Sequence, residues 1–169
     1  MKVLIAVDDS EYADDIMDFV LSHEWPPTCE FTVFHAIAPL PLGNLSVVLP
    51  PALLEDISDQ NWKEGQMVAR RAALRLRDAT RSQHIHEEVA QGDPKHEILQ
   101  FSKTWEPNVI VIGSHGRSGF KRAMLGSVSL AVLTHADAAV IVVRPPMRAE
   151  TVPLEKVVPQ ATRIRQIVF

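Results

Sequence analysis

Three glycines and a serine near the middle of the chain have a spacing that suits phosphate binding. Two residues separate the first two glycines, and nine more lead to the last pair: Gly113, Gly116, Gly126 and Ser127. An apolar run, 109–112, precedes the motif, and a helical pattern follows it. Glycine accepts positive φ and lets main-chain N–H groups approach an anion, while a helix N-terminus adds unpaired donors and a positive dipole end. The pattern predicts a loop that binds nucleotide phosphate.

The motif differs from two well-known phosphate-binding loops. It lacks the lysine of G-x-x-x-x-G-K-[ST] and the spacing of G-x-G-x-x-G. An ordinary strand-to-helix turn that uses glycine for tight geometry would have the same local sequence. On the loop alone, both interpretations stay open.

The rest of the chain alternates apolar runs with helical patterns. Five apolar runs predict buried strands, at residues 3–7, 31–37, 85–89, 109–112 and 139–143. Helical patterns lie between them: a helix capped by Ser10, a long helix over 54–82, a helix opened by Asp93 and Pro94 that ends near 104, and a helix over 127–135. This alternation predicts an α/β fold in a single domain, with a doubly wound, five-stranded parallel sheet.

The chain resembles the universal stress protein family, in particular the branch that binds ATP through G-x2-G-x9-G-[ST]. The matching pieces are residues 3–10, 34–37, 92–94 and 112–129. The likeness weakens in the proline-rich stretch 39–51 and after Pro146, and Asp9 stands where the family often has glycine. We therefore expect a nucleotide-binding domain over 1–146 and a C-terminal extension over 147–169.

The resemblance implies a Rossmann-like sheet with strand order 3-2-1-4-5. In such a sheet, ligands bind beyond the carboxyl ends of the strands where the winding reverses, here between the first and the fourth. Asp8 stands at the end of the first predicted strand and Gly113 at the end of the fourth. Two separate motifs therefore converge on one crevice.

The candidate site residues form two groups: one is expected to contact the phosphates of the nucleotide and the other its adenosine. The residues expected to contact phosphate come from the loop and the start of the following helix: Gly113, His115, Gly116, Arg117, Gly126, Ser127, Val128 and Ser129. The resemblance implies that Ala6, Val7 and Asp8 line the adenosine end and that the main chain at Ala36 reads the adenine edge.

Several of these assignments keep a second interpretation. Asp8 either contributes to the nucleotide site, with or without a divalent metal, or caps the following helix. His115 either contacts phosphate or is a surface imidazole without a fixed role. The loop cations Arg117, Lys121 and Arg122 either screen phosphate charge or form a solvated surface.

Composition limits the class of protein. The 169 residues carry a net charge of −4 and 46% hydrophobic residues, which is typical of a globular domain and gives no reason to expect a nucleic-acid partner. No apolar run approaches the ~20 residues that span a bilayer, and no leader pattern precedes the first strand. The lone Cys29 suits a reducing compartment. We therefore expect a cytoplasmic protein without membrane contacts.

His84 and His86 share a strand face without an evident third ligand, so no metal centre is predicted.

The combined expectation is a protein that binds an adenine nucleotide and reports energy or stress state to a protein partner. The nucleotide is ATP, or ADP or AMP in its place, with or without Mg²⁺. The alternative is a slow ATP hydrolase or phosphotransferase, although no base beside the γ-phosphate is evident and no catalytic residue is assigned.

The fifth strand predicts a homodimer. Residues 139–143 are apolar and lie at a sheet edge in the implied strand order, where an uncovered strand tends to pair with another chain. The competing arrangement is a tail, 147–169, that covers the same edge.

Overall fold

The computed structural model describes residues 1–39, 49–80, 82, 84–116 and 125–144, in which strands and helices alternate. The strands are β1 (Lys2–Ala6), β2 (Glu30–Ile37), β3 (Ile85–Gln91), β4 (Val109–Gly113) and β5 (Ala139–Val143). The helices are α1 (Tyr12–Leu21), α2 (Pro51–Ala79), α3 (Pro94–Trp105) and α4 (Ser127–His135). The predicted extension 147–169, most of the proline-rich stretch and the three loop cations lie outside the described residues.

The strands form one parallel sheet in the order β3-β2-β1-β4-β5. Ala6 of β1 pairs with Phe34 of β2 on one side and with Ile112 of β4 on the other. The winding reverses between β1 and β4, so the connections that leave these strands run to opposite faces and a crevice opens between them. The predicted fold and strand order are confirmed.

Helices cover both faces of the sheet, which is why the central strands are mostly apolar, with Thr32 and His35 of β2 as buried polar exceptions. On the face of α1 and α2, Phe31 and Val33 of β2 are buried, and on the face of α3 and α4, Phe34 and Ala36 are buried. The alternation along β2 thus divides its side chains between two cores.

The helix α2 begins earlier and ends earlier than the sequence pattern predicted. Pro50 and Pro51 occupy the N-cap and the first helical position, where the missing N–H costs no hydrogen bond, so these prolines start the helix instead of preventing it. The close approach of α2 to β2 depends on Gly65, because a Cβ there would lie 2.7 Å from Cδ1 of Ile37. Within the described segments, no helix is long and apolar enough to cross a membrane.

The predicted helix caps hold at α3 but not at α1. Asp93 precedes Pro94, and its side chain accepts a hydrogen bond from the main-chain N–H of Lys95 at 3.2 Å, as predicted. The helix α1 begins one residue too late for Ser10 to be its N-cap. The Ser10 hydroxyl still accepts a hydrogen bond from the N–H of Tyr12, at 3.3 Å.

Two leucines of α2 test this packing. Leu76 is fully buried against the sheet, whereas Leu74 is 46% exposed. Leu76→Ala should lower the free energy of unfolding by about 2–5 kcal/mol because it leaves a cavity. Leu74→Ala, the matched control, should change it by no more than about 0.5 kcal/mol. Urea denaturation followed by circular dichroism measures both free energies. Equal decreases for the two variants would contradict the orientation of α2, in which Leu76 faces the sheet and Leu74 faces solvent.

Candidate functional site

A cavity of about 260 Å³ opens at the carboxyl ends of β1 and β4. Its walls come from the ends of β1, β2 and β4, from α1, and from the starts of α3 and α4: Ala6, Val7, Asp8, Ile16, Phe34, Ala36, Ala38, Pro94, Ile98, Ile112, Gly113, His115, Gly116, Gly126, Ser127, Val128 and Ser129. Every predicted site residue lines this cavity except Arg117, which lies outside the described residues. The fold therefore brings the two predicted groups together.

Asp8 lies in the connection between β1 and α1, which holds its carboxylate in place. One oxygen, Oδ1, accepts hydrogen bonds from the hydroxyl of Ser10 and, at 3.2 Å, from the Ser10 main-chain N–H. The other oxygen, Oδ2, lies beside Gly116, where a Cβ would come within 2.8 Å of it. Asp8 therefore stabilises the turn before α1, close to the capping role that the sequence left open, and a side chain at 116 would displace its carboxylate.

Ser114 joins the start of the β4–α4 loop to its end. The main-chain N–H of this buried serine donates to the carbonyl of Val143 in β5 at 2.7 Å. Its carbonyl accepts from the N–H of Gly126 at 2.8 Å and from the hydroxyl of Ser129 at 3.2 Å. The hydroxyl of Ser129, one of the residues expected to contact phosphate, also lies 3.0 Å from the carbonyl oxygen of Gly126, so its single proton is shared between these two acceptors. Sequence reasoning missed Ser114, and its position directly after β4 inside the glycine spacing was the available signal.

The glycines of the motif provide space and not an unusual backbone conformation. Gly113, Gly116 and Gly126 all lie outside the left-handed region, and Gly126 is extended at φ −63° and ψ 156°. A Cβ at Gly126 would come 3.3 Å from the Ser114 carbonyl oxygen, and one at Gly113 would come 3.1 Å from Cδ1 of Ile16. The expected positive φ is wrong for these positions. The expected close approach of main-chain N–H groups to an anion stays a prediction.

The N-terminus of α4 opens on the cavity. The helix follows Gly126, which has no capping side chain, and its first turn contains no acidic residue. The main-chain N–H of Leu130 bonds to the carbonyl of Gly126 at 2.9 Å. The N–H groups of Ser127, Val128 and Ser129 precede it and have no acceptor within the helix. All three residues line the cavity, so main-chain donors without an acceptor inside the helix and the positive end of the helix dipole meet there.

His115 is held by its neighbour in the loop. Its Nδ1 lies 2.9 Å from the hydroxyl oxygen of Ser114. Its Nε2 is buried and has no hydrogen-bond partner among the residues that the structure describes. The surface imidazole without a fixed role, which the sequence left open, does not describe this side chain.

The side of the cavity formed by β2 and α3, here called the apolar end, is lined by Phe34, Ala38, Pro94 and Ile98. Ile16 and Ile112, which lie beside Gly113, are apolar too. Sequence reasoning missed all six residues, since it considered strand ends and glycines only. The spacing of Phe34, Ala36 and Ala38 was a usable signal, because residues two apart along an extended chain share a face.

The main chain of β2 continues past the end of β1 at the edge of the cavity. The N–H of Val7 donates to the Phe34 carbonyl at 3.0 Å, so the main chain of Phe34 points toward β1. Ala36, two residues further on, points the same way. Since β1 ends at Ala6, opposite Phe34, no strand of the described chain lies beside Ala36 on that side.

The titratable side chains in the described lining are Asp8 and His115. Among the described residues, no group of three or more histidine, cysteine, aspartate or glutamate side chains has the arrangement of a metal site. His86, on the edge strand β3, lies with Nε2 3.6 Å from Oε1 of Glu30.

Comparison with known proteins gives the family. The profile of the Universal stress protein family (Usp) matches residues 1–144. Universal stress protein YxiE of Bacillus subtilis (strain 168) is 30% identical over 147 residues, which cover 85% of this chain and 98% of that protein.

Two solved structures with a similar fold are described with a nucleotide. A universal stress protein family protein from Arabidopsis thaliana with AMP bound has a TM-score of 0.63 and 18% identity, over 87% of this chain and 93% of that one. The universal stress protein from Archaeoglobus fulgidus in complex with dAMP has a TM-score of 0.54 and 25% identity, over 85% and 97%. By the match over residues 1–144 and the likeness to YxiE, this chain belongs to the universal stress protein family.

Proposed function

We propose that this chain is a regulatory module of the stress response that binds an adenine nucleotide in the cavity between β1 and β4. The N-terminus of α4 carries the proposal. The N–H groups of Ser127, Val128 and Ser129 lack acceptors within the helix and border the cavity together with the positive dipole end. Main-chain donors at a helix N-terminus bind phosphate without a cationic side chain.

The adenosine end of the proposal rests on shape and on main-chain polarity. Adenine has apolar faces and a polar edge, and the cavity offers the side chains of Phe34 and Ile98 next to the main chain of Ala36. Pockets of this kind combine an apolar lining with a few polar groups that orient the ligand. In the proposed complex, the N–H and C=O of Ala36 read the adenine edge while Ala6 and Val7 line the ribose side.

The relatives support an adenine nucleotide, since family proteins are described with AMP and with dAMP. ATP is included because the chain retains the complete G-x2-G-x9-G-[ST] spacing. Mg²⁺ usually binds through one or two carboxylates together with substrate phosphates. Asp8 is the carboxylate of the described lining, and its Oδ2 lies on the loop side, so it is the residue that would hold Mg²⁺ beside a bound triphosphate. A cytoplasmic location belongs to the proposal and suits the lone, buried Cys29.

Slow ATP hydrolysis or phosphoryl transfer is the alternative at the same site, and Asp8 is the observation that would favour it. Phosphoryl transfer needs a group that positions the attacking nucleophile and groups that stabilise charge on the phosphoryl oxygens. One oxygen of Asp8 accepts two hydrogen bonds from Ser10, so the alternative would use the other oxygen, beside Gly116, to position the attacking nucleophile. Multiple-turnover assays with ATP and Mg²⁺ separate the two functions, because kinases turn over at roughly 1–100 s⁻¹ and a binding module stays far below that range.

A negative charge at the start of α4 tests the nucleotide site. Ser127→Asp should lower AMP affinity by more than about tenfold, because the new carboxylate occupies and repels the phosphate position. The same carboxylate should leave the free energy of unfolding unchanged or raise it by about 0.3–1 kcal/mol, since an acidic residue is favourable at a helix N-terminus. Isothermal titration calorimetry and urea denaturation measure the two effects.

Ser127→Ala is the matched control, because it removes the hydroxyl and keeps the main-chain N–H. It should bind AMP within a few-fold of the unchanged protein. A Ser127→Asp protein that is fully folded and binds AMP as tightly as the control would show that phosphate does not lie at this helix end.

The proposal includes a homodimer through β5, because the two edges of the sheet differ in charge. The edge strand β3 exposes His86, Glu87 and Glu88, and charges of this kind prevent pairing with another chain. The edge strand β5 contains no charged residue, and Leu130 and Leu133 of the neighbouring helix α4 are 52% and 46% exposed. The β5 edge is therefore suited to pair with a second copy.

The main chain of β5 shows which positions would make this pairing. Ala139 donates its N–H to Asn108 and Val143 accepts from Ser114, so these residues point toward β4. Val140 and Val142 alternate with them and therefore point their N–H and C=O groups toward the free edge.

Proline at Val140 tests the dimer. Val140→Pro removes an N–H on the free edge, where proline is tolerated, and should yield a folded monomer by multi-angle light scattering. Ile141→Pro is the control: it removes an N–H that points toward β4 and should instead lower stability. A folded Val140→Pro protein that remains dimeric, or an unchanged protein that is monomeric, contradicts pairing through β5.

A further inference from the structure

The outer face of α2 carries a largely apolar stripe that does not pack on the sheet. Its four residues follow one another at intervals of seven and are here called the α2 stripe: Leu53, Gln60, Met67 and Leu74. Seven residues make nearly two turns of an α-helix, so the four lie on one face. All four are exposed, the three apolar ones to between 43% and 61%, and the buried residues of α2 lie on the opposite face.

The charge of α2 changes sign along the helix. Residues 51–64 contain four carboxylates and one lysine: Glu55, Asp56, Asp59, Glu64 and Lys63. Residues 65–79 contain four arginines and one carboxylate: Arg70, Arg71, Arg75, Arg77 and Asp78. Four negative charges and one positive charge give the first half −3, and four positive charges and one negative charge give the second half +3.

The fold uses only some of these charges. Arg75 and Arg77 form ion pairs with side chains of α1 and β3. Arg70 and Arg71 are exposed beside the α2 stripe, and neither forms an ion pair with a residue that the structure describes. The helix dipole does not explain their position, because its effect is confined to the last turn and Arg71 lies more than two turns before Ala79.

A binding partner for this face must carry an apolar stripe and the two signs of charge in reverse order. An acidic segment is repelled by the first half of α2, and a basic segment is repelled by the second half. A second copy of α2 that runs antiparallel meets both conditions, because a two-fold axis places each half against the other. With Leu53 opposite Leu74 of the second copy, the same count inward pairs the next positions: Asp56 with Arg71, Gln60 with Met67, and Lys63 with Glu64.

We propose that the outer face of α2 is a second surface for self-association, on which α2 of another copy packs antiparallel. The helix packs against β2 and β3, whereas β5 is the edge strand on the far side of the sheet. Pairing through β5 therefore leaves the α2 stripe free to bind a further copy. This inference concerns a different surface from the nucleotide cavity and does not depend on the ligand.

The size of the face indicates a weak contact. At 1.5 Å per residue, the 29 residues of α2 extend over about 43 Å, and a strip about 10 Å wide covers roughly 430 Å². Stable interfaces bury roughly 800 Å² on each partner. Association through α2 should therefore appear at high protein concentration, while dilute protein keeps the state set by the stronger contact.

Cross-linking of single-cysteine variants tests the antiparallel arrangement. Cys29 is buried, so an introduced thiol on α2 is the reactive one. Leu53→Cys and Leu74→Cys proteins, one enlarged by an affinity tag, are mixed at high concentration and treated with a short bis-maleimide. Antiparallel packing should give the mixed dimer in excess over both dimers of like chains.

Leu53→Cys mixed with Lys103→Cys is the matched control, because Lys103 is exposed on α3 and its yield reports random collision. A mixed dimer of Leu53→Cys and Leu74→Cys no more abundant than this control would overturn the inference. Dimers of like chains in excess would show parallel packing and would overturn it as well.

A carboxylate in the α2 stripe tests the same contact without a cross-link. Met67→Glu faces the acidic half of the second copy and should raise the dissociation constant of the weaker association step more than about tenfold, as measured by sedimentation equilibrium. Gln66→Glu, the matched control, adds the same charge on an exposed position outside the stripe and should change it by less than about twofold. Equal effects of the two variants, or no weaker association step in the unchanged protein, would contradict packing through α2.

Discussion

Parallel strands leave all their carboxyl ends at one edge of the sheet, and in this chain the winding changes direction between β1 and β4. The connection after β1 runs to α1 on one face, and the connection after β4 runs to α4 on the other. Within the residues that the structure describes, no connection crosses the gap between them, which leaves the cavity. The site depends on this constraint, because it places Asp8, the glycine loop and the start of α4 within one space.

The hydrogen bonds of Ser114 then give the site its form. Through its carbonyl, Ser114 holds Gly126 and Ser129 at the start of α4, and through its N–H it holds Val143 at the end of β5. Ser114 is therefore hydrogen-bonded both to the start of α4, where we propose that phosphate binds, and to the end of the edge strand β5.

Much of the fold could be predicted from local patterns. The apolar runs predicted the strands because a parallel strand is buried on both faces, and Asp93 with Pro94 predicted the start of α3. The start of α2 could not be predicted in the same way. Prolines prevent a helix in its interior but favour its first turn, and position within the helix decides between these effects.

The candidate site could likewise be predicted only in part from the sequence. The glycine spacing and Asp8 are local signals, and the structure places them together. The roles of the glycines were harder to predict: a side chain at Gly116 would displace the carboxylate of Asp8, more than a hundred residues earlier, and a sequence does not show that contact. The apolar end and the bonds of Ser114 likewise join residues from distant parts of the chain. Such contacts follow from the tertiary fold and not from local spacing.

The central claim is that main-chain N–H groups at the start of α4 bind the phosphate of an adenine nucleotide. Titration of AMP into ¹⁵N-labelled protein, followed by two-dimensional NMR, tests this claim at each amide. The account predicts that the amide resonances of Ser127, Val128 and Ser129 shift most, together with that of Ala36 at the adenine edge, and that all four saturate at the same AMP concentration. Saturable AMP binding that leaves these four resonances unmoved would contradict the account.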